Sequence, residues 1–279
     1  MWVRLLWVCA LLAMAGQALY AAPLDDRLSL ELRADYAADF DGFIQVREHS
    51  LEGEHLGLHD SLGVDQWFSM SFEAAWRFDD CNGIRAGFTW NQFRGGKTLD
   101  HDTPHDGAIF AAGTTIDFRP TRWWRAEVWY EYTPWRTDWG ALTLLAGVTI
   151  DDLNVFLKPN RPRLGTKQEY HEDFGAQRMP LPALGARLAI EPTAGLQLVF
   201  GARGTYVDNL ATWYFEGGRI YHSQTNLDVS AAISYRIAEL EFGAALRYRV
   251  FRIEDHSRED GNEFGLRGTH VEFYVRVML

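Results

Sequence analysis

The chain reads as an all-β protein, an antiparallel transmembrane β-barrel of about twelve strands within a range of ten to fourteen. Three observations lead there. Segments that alternate apolar and polar residues recur with turn chemistry between them, the period of strands that show one face to an apolar medium. Glycine (25 residues) and aromatic side chains (14%) are abundant, as tilted strands with interfacial aromatic rings require. Beyond residue 22 no apolar run approaches the roughly 18 residues of a spanning helix, so a place in a membrane requires a barrel.

Residues 1 to 22, MWVRLLWVCALLAMAGQALYAA, carry one positive charge at Arg4, an apolar stretch from Leu5 to Ala15 and then small residues. This pattern predicts a signal peptide cleaved between 18 and 22 and a barrel over 23–279. Cys9 follows the bulky Val8, which argues against a lipid anchor. Cys81 is then the only cysteine left, so an exported chain has no intramolecular disulfide to lean on. Without Arg4 the balance is 26 basic against 38 acidic groups, or -12, which disfavours a nucleic-acid partner.

Strands are predicted at 28–36 and 42–50, which alternate least clearly, and at 67–78, where Phe68, Met70, Phe72, Ala74, Trp76 and Phe78 share one face. The turn DDCNG leads into 83–93 as a hairpin with an Asn-Gly signal. Strands over 108–118 and 124–132 follow, joined at RPTRW, then 141–150, continuing through 153–157 or folding at Asp151-Asp152 into a second strand. After a Pro, Arg and acid-rich segment over 158–180 come 183–190, 196–207, 225–237 and 240–251. In the second half, short turns such as EPTAG and RIAEL alternate with long loops, the asymmetry of a barrel with one turn end and one loop end. The chain closes on THVEFYVRVML, with Val271, Phe273, Val275, Val277 and Leu279 on one face and Glu272, Tyr274, Arg276 and Met278 on the other. That unbroken alternation predicts a closing strand and an assembly signal.

If the apolar faces meet lipid, the opposite faces line a lumen. Its predicted acids are Glu73, Glu127, Glu131, Glu191, Asp228, Glu241 and Glu272, and its predicted bases Arg77, Arg85, Arg125, Arg187, Arg203, Arg236, Arg247, Arg249 and Arg276. All nine bases are arginine in a chain with only three lysines, Lys97, Lys158 and Lys167. A planar guanidinium binds two carboxylates at once and stays charged, which suits a self-satisfied ionic network in a narrow barrel. The rival expectation is a narrow or gated channel, in which the excess near Arg247, Arg249 and Arg276 selects anions.

With its signal peptide, strands and terminal alternation, the sequence resembles the Gram-negative outer-membrane β-barrel proteins. From LPALGARL onward it is similar to uncharacterised small barrels of that class. The resemblance implies a bacterial outer-membrane location, contact with outer-membrane lipid and lipopolysaccharide, and insertion by the barrel-assembly machinery. That machinery prefers a terminal aromatic where this chain has Leu279. Trp123 and Trp124, with Trp135 and Trp139 about eleven residues on, are expected to mark two interfacial girdles about 28 Å apart.

Some barrels of the class hydrolyse lipid with a His-x-Ser-Asn arrangement. The nearest match here is YHSQTN, with His222, Ser223 and Asn226, but adjacent residues point to opposite faces of a strand. LDHDTPHDG offers Asp100, His101, Asp102, His105 and Asp106, whose spacing matches no metal motif and which are expected to stay solvated. His55, His59 and His171 are expected to be surface loop residues. The expected function is thus a non-enzymatic barrel without cofactor or metal, in an envelope-structural role or binding an unidentified ligand through its loops.

Overall fold

The computed structural model describes residues 27–48, 51–106, 108–118, 121–160, 170–173, 179–215, 219–258 and 261–279; the expected signal peptide lies outside them. Among the described residues ten long strands form one closed antiparallel ring. They are β1 (Leu28–Glu48), β2 (Val64–Arg77), β3 (Asn82–Thr98), β4 (Arg122–Thr137), β5 (Gly140–Pro159), β6 (Leu181–Thr193), β7 (Leu196–Phe215), β8 (Arg219–Ile237), β9 (Leu240–His256) and β10 (Gly261–Met278). Each pairs with its neighbours in sequence. Closure comes from β1 against β10, in register from Ser29↔Met278 to Arg47↔Gly261. Leu279 and Leu28 exchange backbone hydrogen bonds of 2.7 and 3.2 Å, so both ends of the ring are tied down.

Ten is the lower end of the expected range, for two physical reasons. The segments 28–36 and 42–50 are one strand, because a bulge between Ala37 and Asp39 shifts the register and lets pairing with β10 continue. The segment 108–118 is not a wall strand. Ala108–Phe110 pairs with Thr103–His105, and Thr115–Asp117 bridges β3 to β5 above the end of β4. The stretch 141–157 runs as a single strand through Asp151-Asp152, and residues 121–123, the described part of RPTRW, lie at the loop end, so the alternation of turns and loops closes. Asn82-Gly83 lies in β3 instead of forming the turn; the Asp79 carboxylate accepts from the Cys81 and Asn82 amides, both at 2.8 Å, and builds the turn.

The wall changes character along its height. Near the turns the outward residues are apolar, as at Phe72, Trp76, Phe88, Phe200, Ile233, Phe242, Leu246 and Phe273, the last 64% exposed. Toward the loop end the pattern inverts. On β9 the inward face passes from Arg247 and Arg249 to buried Phe251 and Ile253, while Arg252 outside pairs with Glu263 at 2.6 Å. On β10 Phe264 and Leu266 are buried inside, and outward Arg267 pairs with Asp41 at 3.1 Å. A surface apolar outside and charged inside suits lipid, and the reverse suits water. The strands therefore outreach the lipid-facing belt.

The aromatic girdles are drawn differently from the expectation. Trp123 faces inward and is buried, while Trp124 lies on the outer surface. The exposed rings near the turns are Trp76, Tyr132, Trp139 and Tyr235, and those toward the loops Tyr36, Trp90, Tyr206 and Tyr248.

Candidate functional site

Three layers fill the interior. The first is ionic. Glu73 on β2 meets Arg85 at 2.8 Å, Arg33 at 3.1 Å and Arg203 at 3.8 Å. Arg85 also bonds Glu131 at 2.7 Å, and Arg203 bonds Glu127 while lying 3.7 Å from Asp228. Arg247 spans Glu272 at 2.9 Å and Asp228 at 3.3 Å. Arg276 bonds Glu31 at 2.7 Å and Glu241 at 2.9 Å. Each of these guanidinium groups contacts more than one carboxylate, so opposite charges offset the cost of removing them from water.

Above it lies a mixed polar layer. Asp35 takes Arg249 at 3.1 Å and His270 at 2.7 Å. Asp151 accepts from Trp123 at 2.7 Å, Arg125 at 2.8 Å and Gln224 at 2.8 Å. His222 bonds Asp255 at 2.7 Å, and Asn91 accepts from Trp67 at 3.0 Å and Ser69 at 2.7 Å.

The third layer is apolar and closes the loop end. Trp67, fully buried, stacks near Phe93 with ring centroids 5.7 Å apart and meets Trp123 at 6.1 Å; Trp123 meets Phe251 at 4.3 Å. Ile44, Val46, Leu153, Val155, Ile253, Phe264 and Leu266 complete it from the wall. Leu56, Leu58 and Leu62 enter from the first loop, and Phe118 from the second. The two indoles join the layers, with rings in the apolar core and N–H groups in the polar one.

Of the residues expected in the lumen, Glu73, Arg85, Arg125, Glu127, Glu131, Arg187, Arg203, Asp228, Glu241, Arg247, Arg249, Glu272 and Arg276 all enter ion pairs there. Arg77, Glu191 and Arg236 lie at the turn-end rim, where Glu191 accepts from the Gly195 amide at 2.9 Å. Sequence reasoning missed Glu31, Arg33 and Asp35, although LSLELRADY places all three on one face. The residues of the terminal face, Val271, Phe273, Val275, Val277 and Leu279, point outward or lie partly exposed.

At the turn end the ionic layer is the floor of an open vestibule of about 360 Å³. Its lining holds seven arginines, Arg27, Arg77, Arg85, Arg136, Arg187, Arg236 and Arg276, against the three carboxylates of Glu131, Asp138 and Glu191.

His222 and Ser223 point apart: the imidazole is inside, 2% exposed, while Ser223 donates to Asp208 at 3.1 Å outside. In the second loop His101 bonds Asp100 at 2.5 Å and Glu54 at 3.0 Å, and these bonds raise its pKa. Asp102 accepts from the Ala112 amide at 2.8 Å, and His105 is 1% exposed under Phe110. His105 was expected at the surface and is buried instead. Burial lowers it to about 4. No cluster suited to a metal ion is found among the described residues.

No protein-family model matches the chain, and no curated protein matches it in sequence. Among solved structures it is similar to the outer membrane protease OmpT from Escherichia coli, with a TM-score of 0.50 at 10% identity, over 93% of this chain and 99% of that one. The chain has the outer-membrane β-barrel fold. Weaker likenesses are to the translocator domain of the autotransporter NalP from Neisseria meningitidis, with a TM-score of 0.41 at 11% identity over 98% and 97% of the two chains. The CymD monoaromatic hydrocarbon channel follows, at 0.37 and 10% over 92% and 89%. These proteins differ in what they do, so the likeness carries fold and not activity.

Proposed function

We propose that this protein is a sealed, non-enzymatic outer-membrane barrel that acts through its loops and wall, in an envelope-structural or ligand-binding role. The observation that carries the reading is the apolar layer of Trp67, Phe93, Trp123, Phe251 and Leu58 stacked over the ionic layer. Hydrated ions avoid an apolar constriction, and the ionic layer below is already occupied by its own partners. Outer-membrane lipid would cover the apolar belt, and lipopolysaccharide would meet the charged rim above it. The assembly machinery would read the terminal face from Val271 to Leu279.

Two other readings are weaker. A narrow or gated channel requires the apolar and polar layers to part together. Hydrolysis, which the protease named among the similar folds brings to mind, requires a base open to substrate, and His222 is enclosed with Asp255 and Gln224. The test is swelling of proteoliposomes in small sugars. Folded protein is expected to give no more swelling than empty vesicles, and porin-like swelling would overturn the sealed barrel.

A further inference from the structure

We propose that the turn-end vestibule is a binding site for a small polyanion carrying several phosphate or carboxylate groups. The excess of seven arginines over three carboxylates is concentrated around one open, concave volume of about 360 Å³, within the range of small-molecule sites. Two of the seven, Arg187 and Arg136, are under-paired. Arg187 and Arg85 share a single oxygen of Glu131, Arg85 at 2.7 Å and Arg187 at 3.6 Å, too long for a hydrogen bond. Arg136, at the exposed rim, has no ion pair among the described residues. Arg276, by contrast, is held by Glu31 and Glu241, which fixes the floor. The result is a concave surface with a fixed, internally paired floor and two under-used guanidinium forks at the side. Such forks match the oxygens of phosphate and carboxylate groups.

The ligand sits in this vestibule without passing through, because the floor is the ionic layer. Binding is expected whether or not the barrel conducts, so the site stands apart from the sealed reading. The experiment is calorimetric titration of folded protein in detergent with inorganic tripolyphosphate, and in parallel with citrate, at low and high salt. The expected result is saturable binding, one per barrel, weakened by salt and weakened about tenfold by Arg136→Gln or Arg187→Gln, the effect of losing a charge-assisted hydrogen bond. Arg252→Gln, at the other end of the barrel, should leave it unchanged. Comparable binding of citrate assigns recognition to charge, and tripolyphosphate alone assigns it to phosphate geometry. If Arg187→Gln fails to fold, the exposed Arg136→Gln carries the test. Absence of saturable binding, or binding that both vestibule variants retain in full, would overturn the proposal.

Discussion

Glu73 is the residue on which most of the interior charge converges, since Arg33, Arg85 and Arg203 all approach one carboxylate. Removing its charge leaves three buried guanidinium groups short of a partner, and breaking a buried pair from one side costs about 3–5 kcal/mol. Glu73→Gln is therefore expected to lower the urea midpoint of unfolding far more than Glu191→Gln, whose side chain caps a turn at the partly exposed rim. Equal midpoints for the two variants would count against an ionic layer that holds the barrel together. Most inward charges of β2 to β10 were legible because each interrupts an apolar alternation at a fixed parity, whereas Asp151, which reads as a turn residue in Asp151-Asp152, was not. Their partners were not, because parity gives the face of a strand and not its height in the ring. Arg33 reaches Glu73 and Glu272 across two strand boundaries that only the register reveals.

At the scale of elements, β1 shows why the ring closes at the lower end of the expected strand range. One bulge switches which residues face inward, from Glu31, Arg33 and Asp35 to Ile44 and Val46, and a period-two reading breaks there into two strands. The same inversion concealed the apolar layer, since Phe251 or Trp123 looks like a lipid-facing residue until the wall leaves the membrane. On the closing strand, Phe273 lies among outward apolar neighbours, and a carboxylate there must enter lipid. Phe273→Asp is expected to prevent assembly, read as loss of the heat-modifiable folded band from the outer membrane; a wild-type level of that band would refute it.

The second loop carries a pH dependence. His105 is buried and neutral, neither ring nitrogen has a hydrogen-bond partner among the described residues, and burial lowers it from 6.5 to about 4. The opened loop then binds the proton more tightly than the packed one. Packing of Thr103–His105 against Ala108–Phe110 is fully stable above about pH 6.5 and loses on the order of 3 kcal/mol as pH falls toward 4. The protection of this hairpin's amides, with the intrinsic slowing of exchange in acid divided out, should fall between pH 7 and 5, and His105→Phe should remove that fall. An unchanged profile in that variant would contradict the assignment.

At the scale of the whole molecule, one barrel holds two environments in series, charged at the level of the lipid and apolar above it. The N- and C-terminal strand ends and all the short turns fall at one end, which outer-membrane insertion would place in the periplasm. Cys81 lies exposed in the first of those turns, so a polymer-linked maleimide should label it only after cells are opened. Labelling of intact cells would reverse the orientation. The most direct test of the sealed interior is single-channel recording of the folded protein in a planar bilayer. The stacked apolar and ionic layers predict insertion without conductance steps, and stable, reproducible ohmic steps would contradict them.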